Sequence, residues 1–329
     1  MSAAEQGPAA QPASAQAAAR AGIRVILNPT AGGGRAGRMA AAIARELETR
    51  GLTAEVVLTR EPGHAVELAA DAAADHGLVV AAGGDGTVHE VANGLLRVPE
   101  ELRSAGLAVL PIGTGNDFVK LLGGARLSHA FDCILAGTTR PVDAGRVTWT
   151  GGSEYFINAM GTGIDVEVVR QIARLPRVPG LAGYLLGVLR ALRVFHPIRA
   201  RLTVDGTLID RRVMIVAVGN GVSQGGGFYI TPDARADDGR LDLCIIAEMP
   251  MTRVMRTLPR LFRGRHVGRR DVAMMQFSRL ELETDEPLFF QLDGELREPT
   301  ATRRLVVEVV PAALRVAGRP DASLDEVTG

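Results

Sequence analysis

The sequence predicts two units: an α/β nucleotide-binding domain with a doubly wound parallel sheet over residues 22–140, and a β-rich, sandwich-like second domain over 141–304. Three observations carry this. Short apolar runs alternate with segments of helical period through the first 140 residues, the rhythm of a mostly parallel sheet covered on both faces. Three of those runs end in glycine-bearing turns, and such sheets bind ligands beyond the carboxyl ends of their strands. From residue 141 onward strands with period-two alternation dominate, and few helical stretches interrupt them.

The first strand is 23–27, stopped by Asn28-Pro29; the glycines of 30–34 then lead into a helix with Met39, Ile43 and Leu47 at four-residue spacing. Residues 54–58 make a second strand and 63–74 a second helix. A third strand, 78–82, runs into Gly83-Gly84-Asp85-Gly86-Thr87, and Val88, Val91 and Leu95 supply the apolar stripe of the next helix. The fourth, 107–110, closes on Pro111 and the turn Gly113-Thr114-Gly115-Asn116-Asp117. In the second half, strands are expected at 142–150, 155–158, 200–204, 213–218, 241–246, 280–283, 288–292 and 305–310, with helices at 165–172, 183–193 and 251–263.

With 329 residues and 47% hydrophobic content, the chain can build a core in each of two domains. Lys+Arg 37 balance Asp+Glu 37, so no nucleic-acid partner is indicated and any basic patch is local. Cys133 and Cys244 sit in apolar runs and read as core residues of a protein kept reduced. No uncharged apolar run is long enough to span a bilayer. Residues 1–21, rich in Ala, Pro, Gln and Ser, read as a disordered tail, and 319–329 as a second tail.

The three glycine turns would converge on one crevice. At the central one, glycines admit backbone contact with a ligand while the following helix aims its N–H groups and positive dipole end at an anion. Asp85 opposes that anion unless a metal ion or a hydroxyl proton intervenes, which points to phosphoryl transfer. The first turn suits an anion but also fits a plain strand–helix turn. It is no Walker A loop, since no Gly-Lys-Ser/Thr follows and the sole lysine, Lys120, lies far downstream. In the third, Thr114 and Asn116 suit phosphate or ribose, and Asp117 is either a site acid or a helix cap.

In the second half, Asp237-Asp238-Gly239 reads as a hairpin turn or as a source of hard oxygen ligands. Gln291-Leu292-Asp293-Gly294-Glu295 reads as another turn, in which Asp293 or Glu295 is placed to take a proton from an alcohol. No two histidines have ligand spacing, which disfavours zinc; His89 reads equally as a nucleotide contact or a helix-surface residue. Residues 253–270 carry seven arginines and no acid, either a solvated face or a membrane-surface contact. Residues 180–195 read as a core helix or one wall of a lipid-tail groove.

In this order, NPTAGGG at 28–34, GGDGTVHEVANGL at 83–95, PIGTGNDF at 111–118, DAGRV at 143–147, FINAMGTGID at 156–165, GGGFYITPDARADDGRLDL at 225–243 and QLDGE at 291–295 resemble the diacylglycerol kinase catalytic family, which includes bacterial soluble lipid kinases and sphingosine and ceramide kinases. The resemblance runs from about residue 22 to 316 and implies the NAD-kinase/diacylglycerol-kinase-like fold. It implies ATP held by Asn28, Thr30, Gly32, Thr59, Gly84, Asp85, Gly86, Thr87 and Thr114, with Asn116 in the third turn as a further candidate. Phosphoryl transfer to a lipid hydroxyl with Mg²⁺ is implied, through a network joining Asp85, Asp117 and Asp238, with the ion on Asp238 and the carbonyls of Arg235 and Arg240. The base matches Asp293 or Glu295 by one branch of the family and Asp85 by another. The last strand, 305–318, is suggested to return toward the first domain.

The expectation is therefore an ATP- and Mg²⁺-dependent kinase of a glycerolipid such as diacylglycerol, cytoplasmic and peripheral to the inner face of a membrane, with a homodimer left open. The alternatives are a sphingoid or ceramide kinase, an NAD-kinase-like small-molecule kinase, and a non-catalytic nucleotide-sensing membrane module.

Overall fold

A computed structural model describes residues 22–175, 180–299 and 302–318; the two tails read from the sequence lie outside them. The first half runs β1 (Ile23–Leu27), α1 (Ala31–Thr49), β2 (Ala54–Leu58), α2 (His64–Ala72), β3 (Leu78–Gly83), α3 (Asp85–Arg97), β4 (Gly106–Pro111), α4 (Asp117–Lys120) and α5 (Leu127–Ala136). The four strands are parallel in the order β2-β1-β3-β4. β3 and β4 are buried along their whole length, as expected for strands covered on both faces. Ala65, Ala69, Val91 and Leu95 of α2 and α3 pack on one face, and Ala36, Ile43, Leu47 and Phe131 of α1 and α5 on the other.

The second half runs β5 (Thr139–Trp149), β6 (Gly152–Phe156), β7 (Ala159–Gly163), α6 (Ile164–Ala173), α7 (Gly180–Val194), β8 (Ile198–Val204), β9 (Thr207–Gly219), β10 (Leu241–Ala247), α8 (Met251–Leu261), β11 (Val272–Phe277), β12 (Arg279–Thr284), β13 (Phe290–Leu292), β14 (Glu295–Arg297) and β15 (Arg304–Ala317). Its pairings are antiparallel, and Val147, Phe156, Leu202, Val216, Leu243, Phe277 and Phe290 share one core. β7 and β11 exceed the strands read from the sequence: β7 is too rich in glycine, and β11 adjoins the arginine run.

The two halves do not merely abut. β15 pairs antiparallel with β5 and β12, then reaches β4 in parallel through Val316 opposite Leu107, so one hydrogen-bonded sheet of 15 strands runs through both. Its register shifts between Val310 and Leu314, where Ala312 has φ +50. The Asp143 carboxylate holds that bulge, accepting from Ala312 N at 2.7 Å and, on its other oxygen, from Gly239 N at 2.8 Å.

Candidate active site

The carboxyl ends of β3 and β4 face the β13–β14 hairpin across a cleft of about 670 Å³. The two glycine turns pack so closely that a Cβ on Gly113 would lie 2.3 Å from Gly84 Cα. No side chain caps α3, and its first residues Asp85 and Gly86 border the cleft, so its positive end faces that space. Asp85 turns back instead and accepts from Asp117 N at 2.8 Å and Phe118 N at 3.4 Å. Burial and the neighbouring Asp117 outweigh those donors and raise its pKa to about 6. Asp117 is paired with Lys120 and accepts from Ser223 Oγ at 3.1 Å and Gly226 N at 2.7 Å. Thr114, Gly86, Asp293 and Glu295 border the same space.

The two acids of the hairpin differ. Asp293 accepts from Ile157 N (3.0 Å) and His89 Nδ1 (2.8 Å) on one oxygen, and from Asn158 N and Ala159 N (2.9 Å each) on the other. A carboxylate offers about four lone-pair sites, and all four are taken. Of the two acids proposed as base, Asp293 thus has its hydrogen-bonding sites filled and ties the hairpin to 157–159. Glu295 is exposed and lies against the central turn, since a Cβ on Gly86 would meet its Oε1 at 2.6 Å. A Cβ next to Asp85 would push that carboxylate out of the place it occupies.

Asn28, Thr30, Gly32 and Thr59 sit beside the cleft rather than in its wall. Asn28 Nδ2 reaches Thr87 Oγ1 at 3.3 Å, Asn28 Oδ1 accepts from Thr30 N and Oγ1, and Thr59 N donates to Leu27 O. Gly32 passes under the Ile112 carbonyl, which a Cβ there would meet at 2.5 Å. Asn116, with φ +50, closes its own turn by donating from Nδ2 to Gly113 O at 3.0 Å.

The expected metal set divides. Asp117 belongs to the cleft, whereas the Asp238 carboxylate accepts from Arg240 N at 3.0 Å and Gln276 Nε2 at 3.1 Å, with no contact to Asp85 or Asp117. Arg240 donates to Ser278 and Arg235 lies 3.6 Å from Asp237. Among the described residues, no group of three or more His, Cys, Asp or Glu side chains is arranged to hold a metal ion. The carboxylates of Asp85, Asp117 and Asp238 therefore make no direct contact with one another, and the network the resemblance implies runs through water. Lys120, Ser223 and Gly226 occupy Asp117 instead.

His89 is also corrected: 2% exposed, it is neither on the helix surface nor in the cleft wall. Asp165 escaped the sequence reading. It borders both the cleft and a second, almost wholly apolar cavity of about 70 Å³ between α6, α7 and α8, lined by Val168, Leu192, Val254 and Leu258 among others. Burial raises its pKa, against a hydrogen bond from Gln291 Nε2 at 2.9 Å. Its place at the end of β7 was the available signal, lost because β7 does not look like a strand.

Residues 22–147 match the diacylglycerol kinase catalytic domain, and residues 158–318 the YegS C-terminal NAD kinase β-sandwich-like domain. The chain is 32% identical over 276 residues to the diacylglycerol kinase of Bacillus subtilis, covering 83% of this chain and 89% of that protein. The chain belongs to the diacylglycerol kinase catalytic family. It is likewise 35% identical to a probable lipid kinase YegS-like of Pseudomonas aeruginosa, over 85% of this chain and 90% of the relative. A solved structure of a putative diacylglycerol kinase from Bacillus anthracis superposes with a TM-score of 0.74 at 25% identity, over 92% of this chain and 98% of that one. A member of this family is a lipid kinase, so the non-catalytic reading falls away. No helix among the described residues is long and apolar enough to cross a membrane.

Proposed function

We infer that this lipid kinase transfers the γ-phosphoryl group of ATP to the hydroxyl of diacylglycerol or a related glycerolipid. The carrying observation is that an acid-lined cleft, headed by an uncapped helix N-terminus, shares Asp165 and Gln224 with an apolar cavity. A soluble dinucleotide has no use for that cavity, whereas a lipid needs both ends. The triphosphate lies along the Asn28–Thr87 side and the Gly84–Thr87 turn, where helix N–H groups and the dipole favour it. Glu295 takes the proton as the lipid oxygen attacks the γ-phosphorus and ADP departs. Such proton transfer contributes about 10²–10⁴-fold. Asp85 and Asp117 orient the reacting groups.

The residues present fit a hard divalent cation. Asp238 accepts only two hydrogen bonds, and Asp242 beside it is held at about pKa 6 by burial and by its acidic neighbours Asp238 and Asp233, despite a bond from Gln276. Asp238 with the Arg235 and Arg240 carbonyls would hold Mg²⁺ there, and a divalent cation carried with the triphosphate would offset its charge. The substrate is met at a membrane surface, through the exposed arginines and methionines of α8.

The test is ATP turnover on mixed micelles carrying diacylglycerol, ceramide or a sphingoid base, beside lipid-free NAD. Diacylglycerol-dependent turnover is expected, and Glu295→Gln should lower kcat by about 10²-fold or more without shifting Tm. Absence of turnover with every lipid would defeat the reading.

A further inference from the structure

His89 lies one turn into α3, four residues after Asp85, and is buried beneath the hairpin that carries Glu295. Its Nδ1 lies 2.8 Å from Asp293 Oδ2 and its Nε2 2.9 Å from Glu154 Oε1. A neutral imidazole has one N–H and one lone pair, so facing two carboxylates it would set that lone pair against an anion. Only the imidazolium donates to both carboxylates, and these are the short contacts: the Asn93 Nδ2 and Arg297 donors stand 3.4 Å from Nε2. The charged and polar groups that meet it are Glu154 from β6, Asp293 and Arg297 from the hairpin, and Asn93 from α3 itself. Arg297 completes the pairing, donating to both oxygens of Glu154 with its terminal nitrogen 3.4 Å from His89 Nε2. The inner quartet of His89, Arg297, Asp293 and Glu154 is then neutral. Without the ring's charge it carries a net negative charge directly under the two site acids.

We propose that His89 acts as a positioning residue that is charged at neutral pH, clamping the Asp293–Glu295 hairpin to α3 so that Glu295 stands over the central glycine turn. This rests on the lipid-kinase reading of the cleft. Burial alone would discharge the ring, but the hydrogen bonds and charges of Asp293 and Glu154 override it and bring the pKa to about 9. The clamp is therefore fully formed at neutral pH and releases as pH rises through about 9.

Two measurements test it. Histidine-selective ¹⁵N NMR of the whole chain, without lipid, should show one of the six imidazoles protonated on both nitrogens at pH 8 and titrating near 9, and absent from His89→Asn. In that variant the amide signals of Gly294 and Glu295 should shift, kcat should fall at least tenfold, KM for ATP should stay within twofold, and the alkaline fall of the kcat–pH profile should vanish. A wild-type ring neutral at pH 8 overturns the proposal, as does a variant that keeps wild-type kcat or keeps the alkaline limb. If His89→Asn does not fold, the wild-type ring titration decides alone. Missing lipid turnover in the wild type would instead defeat the kinase reading, while the NMR still reports the clamp.

Discussion

Asp85 keeps a pKa of about 6 although two backbone N–H groups donate to it, because burial and Asp117 push the other way. The unfolded chain gives up that proton near pH 4, so between about 4 and 6 the folded state binds more protons and stability falls as pH rises. Above 6 the full penalty remains. Asp85→Asn keeps an oxygen for the same donors and removes the charge. It should raise stability at pH 7 by about 1–2 kcal/mol while lowering kcat by about 10²-fold or more. Thermal melts at pH 4 and 7 check the first, since the gain should disappear at the lower pH, and the micelle assay checks the second. That glycine turns surround this acid was legible in the sequence. That Asp293 is saturated was not, because three of its four donors come from the amides of 157–159 and the fourth from a histidine 204 positions away.

α8 combines two faces. Val254, Leu258 and Leu261 turn into the apolar cavity, while Met251 and Met255 stand 48% and 46% exposed beside Arg256 and Arg260. Arg253 is spent on Asp271 at 2.9 Å, but among the described residues no carboxylate pairs with Arg256, Arg260, Arg263 or Arg265. Each arginine at an anionic leaflet is worth about 1 kcal/mol. Reversing these four to Glu should therefore cut binding to phosphatidylserine-containing vesicles by about tenfold or more, with ATP affinity unchanged; equal sedimentation of both proteins would refute it. Helices such as this one were readable because their period survives in the sequence. β7 was not: Ala159-Met160-Gly161-Thr162-Gly163 has two glycines and a single β-branched residue, and it becomes a strand because β9 and β13 flank it.

At the scale of the molecule, β15 makes the two halves one cooperative body. Its 14 residues complete the β-rich core with Leu305 and Val307, and then place Leu314 and Val316 in the core of the first half. Calorimetry should therefore give a single unfolding transition with coincident loss of signal from both halves; two separable transitions would contradict it. The architecture of each half followed from strand and helix rhythm. The suture between them did not follow from that rhythm, because one parallel pairing at residue 316 leaves no periodic trace; only the family resemblance suggested that the last strand returns to the first half.

The bulge in that strand has a mechanical consequence. Asp143 grips it on one carboxylate oxygen and grips Gly239 on the other, while its own amide donates to Ala236 at 2.7 Å. Any rocking of one lobe against the other must bend β15 where it is already irregular, and so tugs on the 236–239 loop. A bend there would therefore pass to the acidic loop through one side chain.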